Sequence, residues 1–483
     1  GATIDTFTNE GTIGNGVSKF GITVWGKDGS KSTINNFSNS GTIHSKNEAI
    51  YFNNADIQTF NNSGTIKSNS HQGVSLKSGS TIETFNNSGI IQSSNYGVNI
   101  ENGAAINTFT NESSGSIIAS SASANAINFA QGTSTSTFLN QGTIQGGSST
   151  ASINMGESGS NGVTIESFEN TGTIGNGVSK FGITVWGKDG SKSTINNFSN
   201  SGTIHSKNGE SIYLGNTEIK TFSNSGTIKS NSGKGVNVSS GSSIENFSNS
   251  GTIQGGSNAA SVSIGDSSSG GVTIESFENT GIIGNGASKF GITFWGTNSN
   301  KSTINNFSNS GTISSNNGEA IYLGKTEIKT FNNSGLISGI KGLNLSVGII
   351  NNFTNKGTIE STSDNAFTGA IYLMTQYNST STIDNLTNEG LIKSKSQGIS
   401  AEAGNKINTI INKGTIEADL NGITFFDHGG SSGNTMELGR IILEKGSSIK
   451  AGNNGINIDG TSKDIEAEAI EVQSGAVVEG GNS

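Results

Sequence analysis

Apolar and polar residues alternate along this chain in short bursts that return again and again. In residues 34–43, INNFSNSGTI, the residues Phe37, Asn39, Gly41 and Ile43 occupy every second position. That is strand spacing, and it puts the four side chains on one face. The opening Ile34 is out of phase with Phe37, which predicts a bend or bulge between them. The skeleton Ile-x-x-Phe-x-Asn-x-Gly-x-Ile occurs sixteen times, first positions being Ile4, Ile34, Ile57, Ile82, Ile106, Thr135, Ile165, Ile195, Ile219, Ile244, Ile274, Ile304, Ile328, Ile350, Ile383 and Ile407. Intervals run from 22 to 33 residues and average about 27. Self-similarity of this period is the signature of a solenoid.

Four copies depart from the skeleton. The copy at Ile106 lacks the Gly and carries extra residues before Ile117, the next opens with Thr135, and the last two replace Phe with Leu386 and Ile410. The Asn-x-Gly pair reads as a turn, because Asn and Gly tolerate left-handed backbone best. A second alternation follows in most units, such as Ile50 and Phe52, Val74 and Leu76, or Ile212 and Leu214. A unit is therefore two or three short strands with tight corners. It cannot bury its own apolar face, but a stack of units can.

The asparagine recurs in every copy: Asn9, Asn39, Asn62, Asn87, Asn111, Asn140, Asn170, Asn200, Asn224, Asn249, Asn279, Asn309, Asn333, Asn355, Asn388 and Asn412. In coils stacked about 4.8 Å apart each amide can donate to the carbonyl of the next, which satisfies polar groups at an interior corner. The functional alternative is a row of ligand-binding amides, and the structural ladder is the preferred reading. The Phe and Ile columns likewise read as stacked core.

Composition sharpens this picture. The 483 residues include 71 Gly, no Pro and no Cys, with 30% hydrophobic residues. Such a polar chain could be disordered, but its few apolar residues sit where stacked strands would bury them. Frequent Gly and β-branched residues disfavour helix before the C-terminal portion. The absence of Cys excludes a disulfide scaffold and a thiolate metal site. It also suits a chain that crosses a membrane unfolded. No signal peptide or apolar span is visible, and the chain opens inside a repeat at Gly1-Ala2-Thr3-Ile4, as an excised fragment would. A net charge of −9 with one arginine, Arg440, argues against nucleic acid.

Segment duplication is superimposed on the coil repeat. The block GNGVSKFGITVWGKDG near the N-terminus recurs at 175–190 and, altered, at 284–298, six and then four coils apart. The Ser-rich stretches within 105–163 read as loops, as do the excursions at 361–380 and 425–434. After Met436 Ser and Asn fall while Glu, Ile and Ala rise. We divide the chain into repetitive coils at 1–435 and less regular C-terminal coils at 436–483 that stabilise the rest.

Catalytic constellations are scarce. His44 and His205 are duplicates of one position and read as solvent-facing filler. Asp427-His428 is the one acid–histidine pair in an irregular loop. The stretch 265–270, GDSSSG, lacks the Gly that a serine-protease motif needs after Ser267 and reads as a loop. Three or four convergent metal ligands are not visible, nor is a calcium nonapeptide, so no cofactor and no enzymatic activity are expected. One feature stands out. Ile22 and Val24 should point inward, leaving Trp25 outward, with Tyr51 outward on the next coil; Trp186 with Tyr213 and Trp295 with Tyr322 repeat the arrangement. At about 4.8 Å per coil the three pairs would stand about 29 Å and 19 Å apart along one side. Exposed aromatics on adjacent strands can stack on sugar rings or anchor a partner; the alternative is corner packing copied with its segment.

The repeat, as in TINNFSNSGTI and TIETFNNSGII, resembles the passenger domains of Gram-negative autotransporters, the type V secretion adhesins, over nearly the whole chain. That resemblance implies a right-handed parallel β-helix, here of about 17–18 coils, displayed on the cell surface or secreted from the outer membrane. It also implies a C-terminal β-barrel translocator in the full-length precursor, and a partner that is a host-cell surface protein or glycan, or the same protein on a neighbouring cell. The rival readings are a structural spacer or stalk, a polysaccharide-active β-helix enzyme and, more weakly, an ice-binding face built on the column Thr12, Thr42, Thr65, Thr143, Thr173 and Thr203, which is broken at Ile90 and Leu336.

Overall fold

The computed structural model of the protein describes residues 1–27, 29–286, 288–375, 379–426, 436–460 and 465–481. These residues form two compact units, Gly1–Ile244 and Glu245–Ser483, each a β-solenoid of three parallel sheets. No helix occurs among them, and the composition change at Met436 is not a change of architecture: Met436–Leu443, Ser448–Ala451 and Ile456–Asp459 continue the three sheets.

A turn of the first unit shows the plan. Its strands are Ser32–Asn39, Thr42–Ser45 and Ile50–Asn53, and each pairs in parallel with its counterpart one repeat later. Ile34 opposes Ile57, Phe37 opposes Phe60, Asn39 opposes Asn62 and Ile43 opposes Ile66. Identical residues therefore stack into columns, so each turn covers the apolar face of the one before. In the second unit Ser302–Asn309, Thr312–Ser314 and Ile321–Gly324 do the same.

The opening Ile lies on the same strand as the Phe, and the mismatch of phase is a bulge. Ile34 and Phe37 are buried, while Asn35 is half-buried and Asn36 exposed, two successive outward residues. In the first unit the stacked phenylalanines from Phe7 to Phe222 have ring centroids 4.7–4.9 Å apart and tilts of 2–10°. The backbone repeat sets this spacing. In the second unit the stack ends at Phe331 and Phe353, which meet edge-on at 65°, before Leu386 and Ile410 take the position over.

The turn glycine has a different cause from the one its sequence suggested. Neither Asn39 nor Gly41 is left-handed. A Cβ on Gly41 would instead stand 2.0 Å from the Gly11 carbonyl oxygen, and one on Gly64 2.1 Å from that of Gly41. The corner is closed by backbone approach between turns, and only hydrogen fits. The copy at Ile106 keeps the device. Gly115 takes the glycine's place, since Asn111 Nδ2 donates to Gly115 O at 3.3 Å, and the extra residues loop outward. Thr135 fills the opening-Ile site at 3% exposure, with its hydroxyl unpartnered among the described residues.

Candidate functional site

Two rows of asparagine and aromatic residues need separating by where they point. The repeat asparagines point in. Asn39 Nδ2 donates to Asn62 Oδ1 at 2.7 Å, Asn62 to Asn87 at 2.7 Å and Asn170 to Asn200 at 2.7 Å, each residue at most 1% exposed. In the second unit Asn249, Asn279, Asn309, Asn333 and Asn355 each donate at 2.8 Å to the next, ending with Asn388 to Asn412. A second hydrogen closes the local turn, as from Asn200 to Gly202 O at 3.3 Å and Asn224 to Gly226 O at 3.3 Å. With both hydrogens used and no exposure, this row cannot receive a ligand. All its amides point the same way, so each polarises the next.

The aromatic pairs lie on the outer side of the third sheet. Trp25 stacks on Tyr51 with centroids 5.0 Å apart, Trp186 on Tyr213 at 4.4 Å and Trp295 on Tyr322 at 4.6 Å, all tilted by 34–40°. The first two pairs belong to the first unit and the third to the second. They differ in depth. Trp25 is 57% exposed and opposes Asn53, whereas Trp186 and Trp295 are half-buried and oppose Gly215 and Gly324. A Cβ on Gly324 would meet Tyr322 at 2.9 Å and Trp295 at 3.0 Å, so the missing side chain lets the indole settle onto the next turn. The contrast between IYFN and IYLG carries this in the sequence. Phe20 was missed: its ring lies 5.9 Å from Tyr51, making the first group a triplet, with Lys19 Nζ 5.2 Å from the Phe20 centroid.

Around Trp295 and Tyr322 the surface sinks into a cleft of about 260 Å3. Gly296, Gly324 and Val347 shape it, and Ser267, Asn298, Lys325, Ser346 and Ser379 bring polar groups to it. Burial pushes the Tyr322 hydroxyl above the ordinary tyrosine range, opposed by a hydrogen bond with Ser346. Farther along the same sheet face Tyr372, 4% exposed, donates its hydroxyl to the Glu402 carboxylate, which also accepts from Thr375 N at 2.8 Å. Burial, then that carboxylate, pushes the Tyr372 hydroxyl far up.

The histidines are not idle filler. His44 Nε2 is 2.9 Å from Asn69 Oδ1, Asn69 Nδ2 donates to Gly16 O at 3.0 Å, and Gly16 N donates to His44 O at 3.1 Å. His205 with Asn231 and Gly177 repeats the bond and the backbone contact. These histidines tie the Gly-Asn-Gly corner to the turns that follow. In the 265–270 loop Asp266 Oδ1 accepts from Ser268 N at 2.7 Å and Ser269 N at 3.3 Å, and the Ser268 donors hold its carboxyl below the usual range. It is a local turn device, consistent with a loop. Asp427 and His428 lie outside the described residues. Among the described residues no three His, Asp or Glu side chains converge as metal ligands.

No protein-family model, curated protein or solved structure shows significant similarity to the chain.

Proposed function

We propose that the chain is the surface-displayed passenger of an autotransporter-type protein, that it acts as an adhesin, and that it holds a host or neighbouring cell through the outer face of its third sheet. The observation that carries this reading is the placement of all three tryptophans outside the core, each stacked on a tyrosine of the next turn. A solenoid needs no indole there: on the turn after each tryptophan the same column holds Asn53, Gly215 or Gly324, and beyond Gly324 it holds Ser346 and Met374. Amphipathic rings at the surface are where a protein presents apolar area at little entropic cost.

A spacer role is the second reading, and the uniformity of the stacked columns favours it. Binding of the labelled chain to panels of host cells and immobilised glycans separates the two. The adhesin reading expects saturable binding that the tryptophans govern. A chain that binds neither panel is a spacer.

A further inference from the structure

The three aromatic pairs share a ring geometry, but their surroundings differ at one corner. Beside the first two, the next turn takes four residues between its third-sheet strand and the following one: 77–80 after Leu76 and 239–242 after Val238. A glycine of each corner lies against an asparagine of the turn before. A Cβ on Gly79 would be 2.2 Å from Asn54 Oδ1, and one on Gly241 2.0 Å from Asn216 Oδ1. The asparagine carboxamide thus fills that corner.

Beside Trp295 both halves of this plug are gone. Three residues, 346–348, separate Leu345 from Ile349, and Lys325 stands where Asn54 and Asn216 stand. The shortened corner holds Val347 at φ 64°, a left-handed conformation that a β-branched residue adopts only under constraint. Val347 and Lys325, itself at φ 53°, wall the cleft. A strained backbone beside an open, aromatic-floored cavity points to a ligand.

We infer that the Trp295–Tyr322 cleft binds a single pyranose ring bearing a carboxylate. The inference rests on the attachment reading and names what this part of the surface takes hold of. At about 260 Å3 the cleft is smaller than the ~300–1,000 Å3 typical of drug-sized ligands, which suits one ring. The indole offers an apolar plane for the C–H face of a sugar. Ser267 and Asn298 offer donors and acceptors to its hydroxyls. Lys325 supplies the charge. Among the described residues it forms no ion pair. The nearby acids are engaged elsewhere. Asp266 accepts from its own loop, and Glu319 faces Lys341 at 3.6 Å and Asn344 Nδ2 at 3.0 Å. A carboxylate on the ligand would meet an unpaired ammonium.

The test is the affinity of the full chain for methyl β-D-glucuronide and methyl β-D-glucoside by ligand-observed NMR. The wild type should bind the glucuronide about fivefold more tightly, the scale of one partly exposed ion pair. Lys325→Gln should erase that preference, bringing the two affinities together, and Trp295→Ala should weaken both about tenfold or more. Lys325 is half-exposed, so Lys325→Gln decides the matter even where Trp295→Ala does not fold. Equal affinities in the wild type, no binding of either sugar, or a preference that survives Lys325→Gln would overturn the inference. Cell attachment without sugar binding defeats this inference alone. Glucuronide binding at the cleft without attachment to any cell defeats the adhesin reading alone.

Discussion

Replacing Asn200 by alanine should cost the first unit about 2–4 kcal/mol. Asn200 is fully buried, accepts from Asn170 Nδ2 at 2.7 Å and donates to Asn224 Oδ1 at 2.7 Å and Gly202 O at 3.3 Å. Removing it does not strand Asn170, whose amide keeps Gly172 O at 3.2 Å and Thr203 O at 3.4 Å. It does take the ladder donor from Asn224 Oδ1. One buried acceptor without its partner costs about 1–3 kcal/mol, and the cavity left by the lost carboxamide adds about 1 kcal/mol. Asn200→Asp is the sharper variant. It conserves shape but replaces a donor with a carboxylate facing the Asn224 oxygen, so it should cost more than alanine. Asn36→Ala, exposed one sheet face away, should stay within about 0.5 kcal/mol. A stack of repeats need not unfold in one step, so native-state hydrogen exchange of amides 170–227 is read alongside the urea midpoint. If Asn200→Ala and Asn200→Asp both exchange and unfold like wild type, the ladder does not hold the turns together.

Three further outcomes follow from the same geometry. An unfolded tyrosine ionises near pH 10, whereas burial keeps Tyr372 protonated well above that; its contribution to stability is complete below pH about 10 and is lost as pH rises beyond it, so Tyr372→Phe should flatten the alkaline limb of the stability profile, and an identical limb would contradict this. Removing residues 436–483 uncovers Ile407, Ile410, Ile416 and Ile423, which lose the partners Leu438, Ile441, Ile449 and Ile456; the melting temperature and solubility should both fall, and an unchanged melting curve would refute a stabilising role. Chelator should leave the melting temperature where it is, since no ligand cluster exists among the described residues; a large drop would reveal a metal.

The sequence carried the fold because the solenoid repeats its information. Phe37, Asn39 and Ile43 share a face in one copy, and fifteen further copies remove the ambiguity that a short apolar run would have. What stayed hidden depends on contacts between turns. The need for Gly41 comes from the Gly11 carbonyl thirty residues earlier, not from its own dihedral angles. The bond that occupies His44 stayed hidden because Asn69 is distant along the chain. The aromatic pairs were legible as outward residues, yet their inequality was not. It arises from Gly324 opposite Trp295 and from one residue missing after Leu345, and the latter has meaning only once the corners of successive turns are superimposed.

The central claim is that the inward columns make the fold and the outward aromatics make the attachment. Attachment of the full chain carrying Trp25→Ala, Trp186→Ala and Trp295→Ala together, measured on the cell type that the wild type binds and beside its far-UV circular dichroism, tests this most directly. The account predicts an intact β spectrum with attachment abolished. A triple variant that is folded and attaches as well as wild type would contradict it.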